Sequence, residues 1–312
     1  MSARRAHRGA ALITALLLAA LAAVMVSGMM WGEWGAIQRE QAARQSEQAR
    51  WLLRGALDWA RLILNEAAQH GQVVALDQPW AVPLAESDLT RFLAASGHSA
   101  LGQAWLEGRI EDAQSRFNLT DLALFGTPYA NAVQTLQRLC TAVGVDPSLA
   151  QTLAQAIVSA RAAGSLDLPI FQLQDLARLS PAVAAALPRL APVVTVLPQA
   201  TPVNLNTAGP VVLAAVLDIS TQQAAQLVAA RTQHHFDNVQ QVRDALKSNA
   251  TTLPIDPVLA GVTSNYFEAV ARVRIADFEY AERALVQRTG ALSQTVRMQR
   301  VAPWLADPVP RD

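Results

Sequence analysis

The sequence predicts an α+β protein: a long N-terminal helix carrying an antiparallel sheet head, with a large α-helical domain inserted into that head. Three observations predict it. Residues 10–30 form an uncharged apolar run that passes, with no proline, into an Ala-, Gln-, Arg- and Glu-rich stretch ending near His70. Residues 117–250 are rich in Ala and Leu at helical spacing. Residues 265–301 alternate apolar and polar side chains in three runs, the pattern of half-buried antiparallel strands.

The N-terminal element comes first. Ala10–Met30 is long enough to cross a bilayer core of roughly 30 Å as a helix. Arg4, Arg5 and Arg8 precede it, and basic flanks stay cytoplasmic, which leaves the rest of the chain outside. Three readings fit: a secretory signal cut within the Ala-rich stretch 19–23, a plain signal anchor, or a segment processed at Gly9, where charge gives way to apolar residues. From Trp31 to His70 there is no proline, and glycine stands only at 32, 35 and 55. Trp51, Leu52, Trp59, Leu62 and Ile63 recur at helical spacing. One helix over about residues 11–68 is predicted. Its outer half would pack one stripe on the head and leave Arg44, Arg50, Arg54 and Arg61 solvated. Gly71, Pro79 and Pro83 close it.

Residues 31–116 thus hold the amphipathic half of the helix and the first part of the head. Strands are predicted at 72–76 and 104–113; residues 88–93 read as a helical turn or a strand. The inserted region, 117–250, contains a rough duplication over about 117–179 and 203–246. Each copy opens on an Asx-led start, Phe117-Asn118-Leu119-Thr120 or Val203-Asn204-Leu205-Asn206-Thr207-Ala208. Two helices around a tight turn follow, then a short third helix. Between the copies, five prolines from 181 to 202 punctuate an apolar stretch, and 193–197 reads as a strand returning to the head. Residues 251–301 supply the terminal strands, and 302–312 a loose proline-containing tail.

Composition excludes several function classes. The chain has 25 basic and 25 acidic residues, for a net charge of zero, which argues against a polyanion partner. Cys140 is the sole cysteine and reads as a small buried hydrophobe in a helix. Of five histidines only His234 and His235 are adjacent, and neighbours on a helix diverge, so a solvated turn before Phe236 is expected. Glu111-Asp112, and Asp237 near His235, are accompanied by no nucleophile motif or phosphate loop. No catalytic residue, cofactor or metal site is predicted.

Two resemblances bear on function. The stretch from Arg8 to Leu17 resembles the class III leader of type IV pilins and pseudopilins. That likeness implies cleavage between Gly9 and Ala10 by a prepilin peptidase and N-methylation of Ala10. The fold it implies is pilin-like. Most such proteins carry Glu where this chain has Thr14. A carboxylate in the bilayer costs roughly 2.5–3.5 kcal/mol unless paired, whereas a Thr can bond its own helix backbone. Absence of that Glu resembles the K-type minor pseudopilins. The leader, long helix, strands, Asx-led helical insert and Ser264-Asn265-Tyr266-Phe267 together resemble the K proteins of the type II secretion system over nearly the whole chain.

That family implies a Gram-negative inner-membrane location, single-pass, with the C-terminal domain in the periplasm. It also implies a tip position on the pseudopilus, I-type and J-type minor pseudopilins as partners, and an inner-membrane secretion platform beneath. Many relatives carry a long acidic, calcium-associated loop between the helical copies. Calcium takes six to eight oxygens, and residues 162–200 hold only Asp167 and Asp175 as acids; no calcium site is expected there. The second resemblance is of residues 203–246 to helix-hairpin-helix modules. It gives the alternative of a membrane-anchored periplasmic DNA-binding protein. The hairpin position, however, holds Asp218-Ile219-Ser220, which lacks glycine and adds a negative charge, both wrong for phosphate.

Overall fold

The first helix, α1, runs Ala3–Gln69. Strong helix formers fill it and no proline interrupts it, so at 1.5 Å per residue it extends about 100 Å. It stops at Gly71, whose φ of +149° is closed to most L side chains. The chain is described here from a computed structural model that covers residues 3–90, 103–124, 126–162, 166–246, 254–276 and 278–303, with the backbone alone at 3–10 and 32.

The outer half of α1 lies on an antiparallel sheet of five strands among the described residues, in the order β1-β2-β9-β10-β11. These are β1 Leu84–Asp88, β2 Ala104–Asp112, β9 Tyr266–Ile275, β10 Phe278–Thr289 and β11 Leu292–Val301. The last three strands form the expected meander. Thr289 faces Leu292 across a tight turn that Gly290, at φ +60°, makes possible. β2 returns to pair with β9, from Ala104 opposite Ile275 to Asp112 opposite Phe267.

The stripe that α1 buries is Ala49, Leu53, Leu57, Ala60 and Leu64. The spaced apolar residues of the sequence divide: Leu52 and Ile63 pack at the edge of this core. Trp51, Trp59 and Leu62 point away and are exposed. The sheet face beneath α1 presents Ala269, Ala271 and Ala284 among its core residues. Such small side chains let the helix approach closely and favour Leu and Ala at the contact over indoles.

Two expectations fail. Residues 72–76 form no strand; Val73 makes one isolated bridge to Thr263. The Gln78 side chain folds back to donate to the Val73 carbonyl at 2.9 Å, which holds this segment as a turn. Residues 193–197 do not enter the head sheet. Val194–Thr195 pair in parallel with Phe117–Asn118 inside the helical insert. Residues 91–93, His98, 247–250 and most of the tail lie outside the described residues.

The insert's two halves share one plan. The first opens on β3 Phe117–Asn118 and a 3-10 turn, Leu119–Leu122. A short hairpin, β4 Ala123–Leu124 with β5 Thr127–Pro128, leads into α2 Ala130–Ala142 and α3 Leu149–Arg161. Then come a 3-10 turn, Leu173–Arg178, and α4 Pro181–Leu190, before β6 Val194–Thr195 closes the half. The second opens on β7 Val203–Asn204, runs through α5 Pro210–Leu217, α6 Thr221–Gln233 and α7 Val239–Ala245, and closes on β8 Ala260–Gly261, parallel to β7. The helix α4 was unforeseen. Pro181 occupies its first turn, where a missing N–H costs nothing, and the Ser180 hydroxyl accepts from Val183 N.

Candidate functional site: the stem surface and the polar junction

The apolar part of α1 is exposed along residues 11–31, and its mean hydropathy reaches 2.4 over the most apolar 18 residues. It is the one single helix among the described residues that is long and apolar enough to cross a membrane. Thr14 sits within it, and its hydroxyl donates to the Ala11 carbonyl at 3.0 Å. Gly9 and Ala10 lie on the same continuous helix, six and seven residues on from Ala3 by backbone position. Trp31 and Trp34, both exposed, follow the span at the level where amphipathic indoles favour a membrane–water boundary.

Beyond the membrane the stem has two faces. One is the buried stripe already described. On the other, Trp51, Trp59 and Leu62 form an apolar ridge, extended by Leu292 from the β10–β11 turn, which is 75% exposed. Trp59, Leu62, Ile63, Pro79, Ala291 and Leu292 line an open groove between stem and hairpin. Charges flank the ridge in local pairs, Arg44 with Glu40, Arg50 with Glu47 and Arg61 with Asp58. Arg54 lies over the Trp51 ring.

The second feature is where the insert meets the head. Asp112 ends β2 with its side chain buried. One carboxylate oxygen accepts from Gln114 N at 2.8 Å. The other accepts from Asn204 Nδ2 at 2.8 Å, Thr207 Oγ1 at 2.6 Å and Ser264 Oγ at 2.6 Å. Asn204 Nδ2 also reaches the Val74 carbonyl, just past the membrane-distal end of α1. Burial raises the Asp112 carboxyl above its ordinary range, and the four hydrogen bonds oppose that rise. The sequence offered only an acid at a strand end; nothing in the pattern marked it as the meeting point of three chain segments.

The remaining candidates fall outside any reactive arrangement. Cys140 is fully buried in α2, and burial pushes its thiol up to about 11. His235 Nδ1 lies 2.8 Å from Asp77 Oδ2 and its ring stacks on His234, so it ties the end of α6 to the loop after the stem. Asp175 is occupied in a helix cap, accepting from the backbone N–H groups of Phe171 and Gln172. Among the described residues no group of three or more His, Cys, Asp or Glu side chains is placed to hold a metal ion.

Comparison with known proteins gives this geometry a context. The family model for type II secretion system (T2SS) protein K matches residues 203–263, the second half of the insert and its closing strand. Type II secretion system protein K of Pseudomonas aeruginosa is 27% identical over 91% of this chain and 90% of the relative. The Klebsiella pneumoniae protein of the same description is 28% identical over 96% and 98%.

The chain is similar to type II secretion system protein K over nearly its whole length, with the family model matching the second half of the insert. It is a minor pseudopilin of type II secretion. The fold agrees: the crystal structure of the GspK-GspI-GspJ complex from enterotoxigenic Escherichia coli contains a chain with TM-score 0.65 and 21% identity, covering 85% of this chain and 99% of that one. The DNA-binding alternative has no support. Asp218 occupies the hairpin in the left-handed conformation, φ 53° and ψ 49°, so a carboxylate stands where a phosphate-binding hairpin needs bare backbone.

Proposed function

We propose that this minor pseudopilin sits at the tip of the type II secretion pseudopilus. There it nucleates or caps a fibre that drives protein export across the outer membrane. The observation that carries the reading is the insert's place. It is fixed to residues 74–77, just beyond the end of α1 farthest from the membrane span. A subunit added above would meet the insert rather than a free sheet-and-stem surface. Thr14, satisfied within its own helix, supports the same position, since a topmost subunit has no neighbour whose terminal ammonium could pair with a carboxylate.

In this reading the prepilin peptidase cuts between Gly9 and Ala10, Ala10 is N-methylated, and α1 stays in the inner membrane above the secretion platform. The head and insert lie in the periplasm of a Gram-negative cell. The I-type and J-type minor pseudopilins are the partners, and the ridge of Trp51, Trp59 and Leu62 is the surface offered to their stems. The chain acts by assembly and not as an enzyme, and it needs no cofactor. Co-purification with tagged I- and J-type subunits tests the partners: the wild-type chain is retained, and a chain with Trp51→Glu and Trp59→Glu is not. Intact-mass analysis of membrane-extracted protein tests the processing. It should find a methylated N-terminus at Ala10; a start at Met1, or beyond Ala23, rejects it.

A further inference from the structure

Head and insert have separate apolar cores. The stem–sheet core is built from Ala49, Leu53, Leu57, Phe267 and their neighbours, the insert core from Phe117, Leu136, Leu213 and theirs, and the two share no residue. Between them lie a small apolar cluster, Ala113, Leu197, Tyr266 and Leu285, and a buried polar one. Two side chains at the end of β2 hold the chain at both points where the second half of the insert leaves and rejoins the head. Asp112 binds Asn204, Thr207 and Ser264. The Gln114 amide donates to the Pro202 carbonyl at 2.9 Å and accepts from Asn265 N at 2.6 Å. Arg288 of β10 donates to the Ser264 carbonyl at 3.0 Å. Apolar contact is non-directional; hydrogen bonds converging on one oxygen have narrow angular tolerance.

We infer that the Asp112 cluster is a positioning device: it sets the orientation of the helical insert on the head and makes the two move as one rigid body. Asn204 can only donate through its amide nitrogen, because its oxygen already accepts from Asn206 N. The cluster therefore calls for a hydrogen-bond acceptor at position 112. Replacing that acceptor removes the one partner that Asn204, Thr207 and Ser264 share, and the junction loses its preferred pose although each core remains packed. The inference does not depend on the fibre-tip assignment.

The test uses the full chain in detergent micelles, with Cys140→Ala and two spin labels, one at Gln69→Cys on the stem and one at Gln226→Cys on α6. Both sites are exposed. Pulsed electron paramagnetic resonance reads the distance distribution. Asp112→Ala should widen it about twofold, because two packed bodies joined by a slack contact move as hinged domains. Ser264→Ala, which removes one donor, should widen it less. Leu213→Ala and Val286→Ala lower the melting temperature from within the two cores and should leave the width unchanged. An unchanged width in Asp112→Ala, or in Ser264→Ala should the first variant fail to fold, overturns the inference. So does equal widening in the two core variants.

Discussion

The two halves of the insert start from the same plan and are used differently. Phe117-Asn118 and Val203-Asn204 each open a half, and each pairs in parallel with the strand that closes it. In both, the Asn oxygen accepts a backbone N–H two residues on, Thr120 N in one and Asn206 N in the other. The amide nitrogens diverge. Asn118 donates to the Gln199 carbonyl and Thr201 hydroxyl, on the link between the halves. Asn204 donates to Val74, Asp112 and Ser264, all in the head or its lead-in. Three residues on, the first half has Asp121 and the second Thr207. Asp121 accepts from Thr201 N with one oxygen, while its other is buried without a partner. Thr207 donates to Asp112. One half thus braces the insert internally, and the other carries it on the head.

The strongest way to break this comparison is in the core. Phe117 and Val203 occupy matching positions and are both buried. Phe117→Ala should cost about 3–5 kcal/mol, and Val203→Ala about 2 kcal/mol, measured by urea unfolding of the full chain. Equal losses would mean that the two openings do not differ in packing. Next come the two asparagines. Asn118→Ala and Asn204→Ala should each cost about 2–3 kcal/mol, from buried partners left unpaired. Limited proteolysis should separate them: Asn204→Ala exposes cleavage sites near 74–77 and 202–207, whereas Asn118→Ala exposes 197–201.

Asp121 gives a pH-dependent contrast. Burial raises its carboxyl well above the ordinary 3.8; the Thr201 N–H opposes the rise and the neighbouring Asp256 adds to it. An acid whose folded pKa is raised binds more protons folded than unfolded, so stability falls as pH rises from about 3.8 toward the folded value. Asp121→Asn keeps an oxygen for Thr201 N and cannot ionise. Its melting temperature should exceed wild type at neutral pH, with the gain shrinking to nothing below about pH 3.8. A gain independent of pH would refute the role of ionisation.

The smallest effect concerns the hairpins. The first half turns at Gly144, φ +70°, and the second at Asp218, φ +53°. Asp218→Gly should stabilise by about 0.5–1 kcal/mol, since glycine takes this conformation without strain. The exposed Asp218–Arg138 pair at 3.5 Å offsets little of that. Gly144→Ala should lose about 1 kcal/mol by the same argument.

The stem, β2 and the last three strands were legible because each carries a hydrophobic period over nine or more residues. The duplication was legible from its Asx-led openings. What escaped has local physical causes. The strand β1, Leu84–Asp88, carries no clean alternation, with its burial irregular across a bulge against β2. The helix α4 was masked by Pro181 and Pro188, although one of these favours a helix start. Helical spacing in the stem did not say which apolar residues form its buried stripe; burial went to Ala and Leu because the facing sheet is alanine-rich. At the junction, Asp112, Asn204, Thr207 and Ser264 lie far apart in sequence, and no periodicity brings such residues together. The proposed cleavage at Gly9 and the reading of Thr14 rest on resemblance alone.

The central claim is the place of this subunit in the fibre. Sheared pseudopili assembled with a chain carrying an epitope on the exposed α6 surface, stained with gold-conjugated antibody, test it directly. The account predicts gold at one end of each fibre only. Gold spaced along the shaft would contradict it.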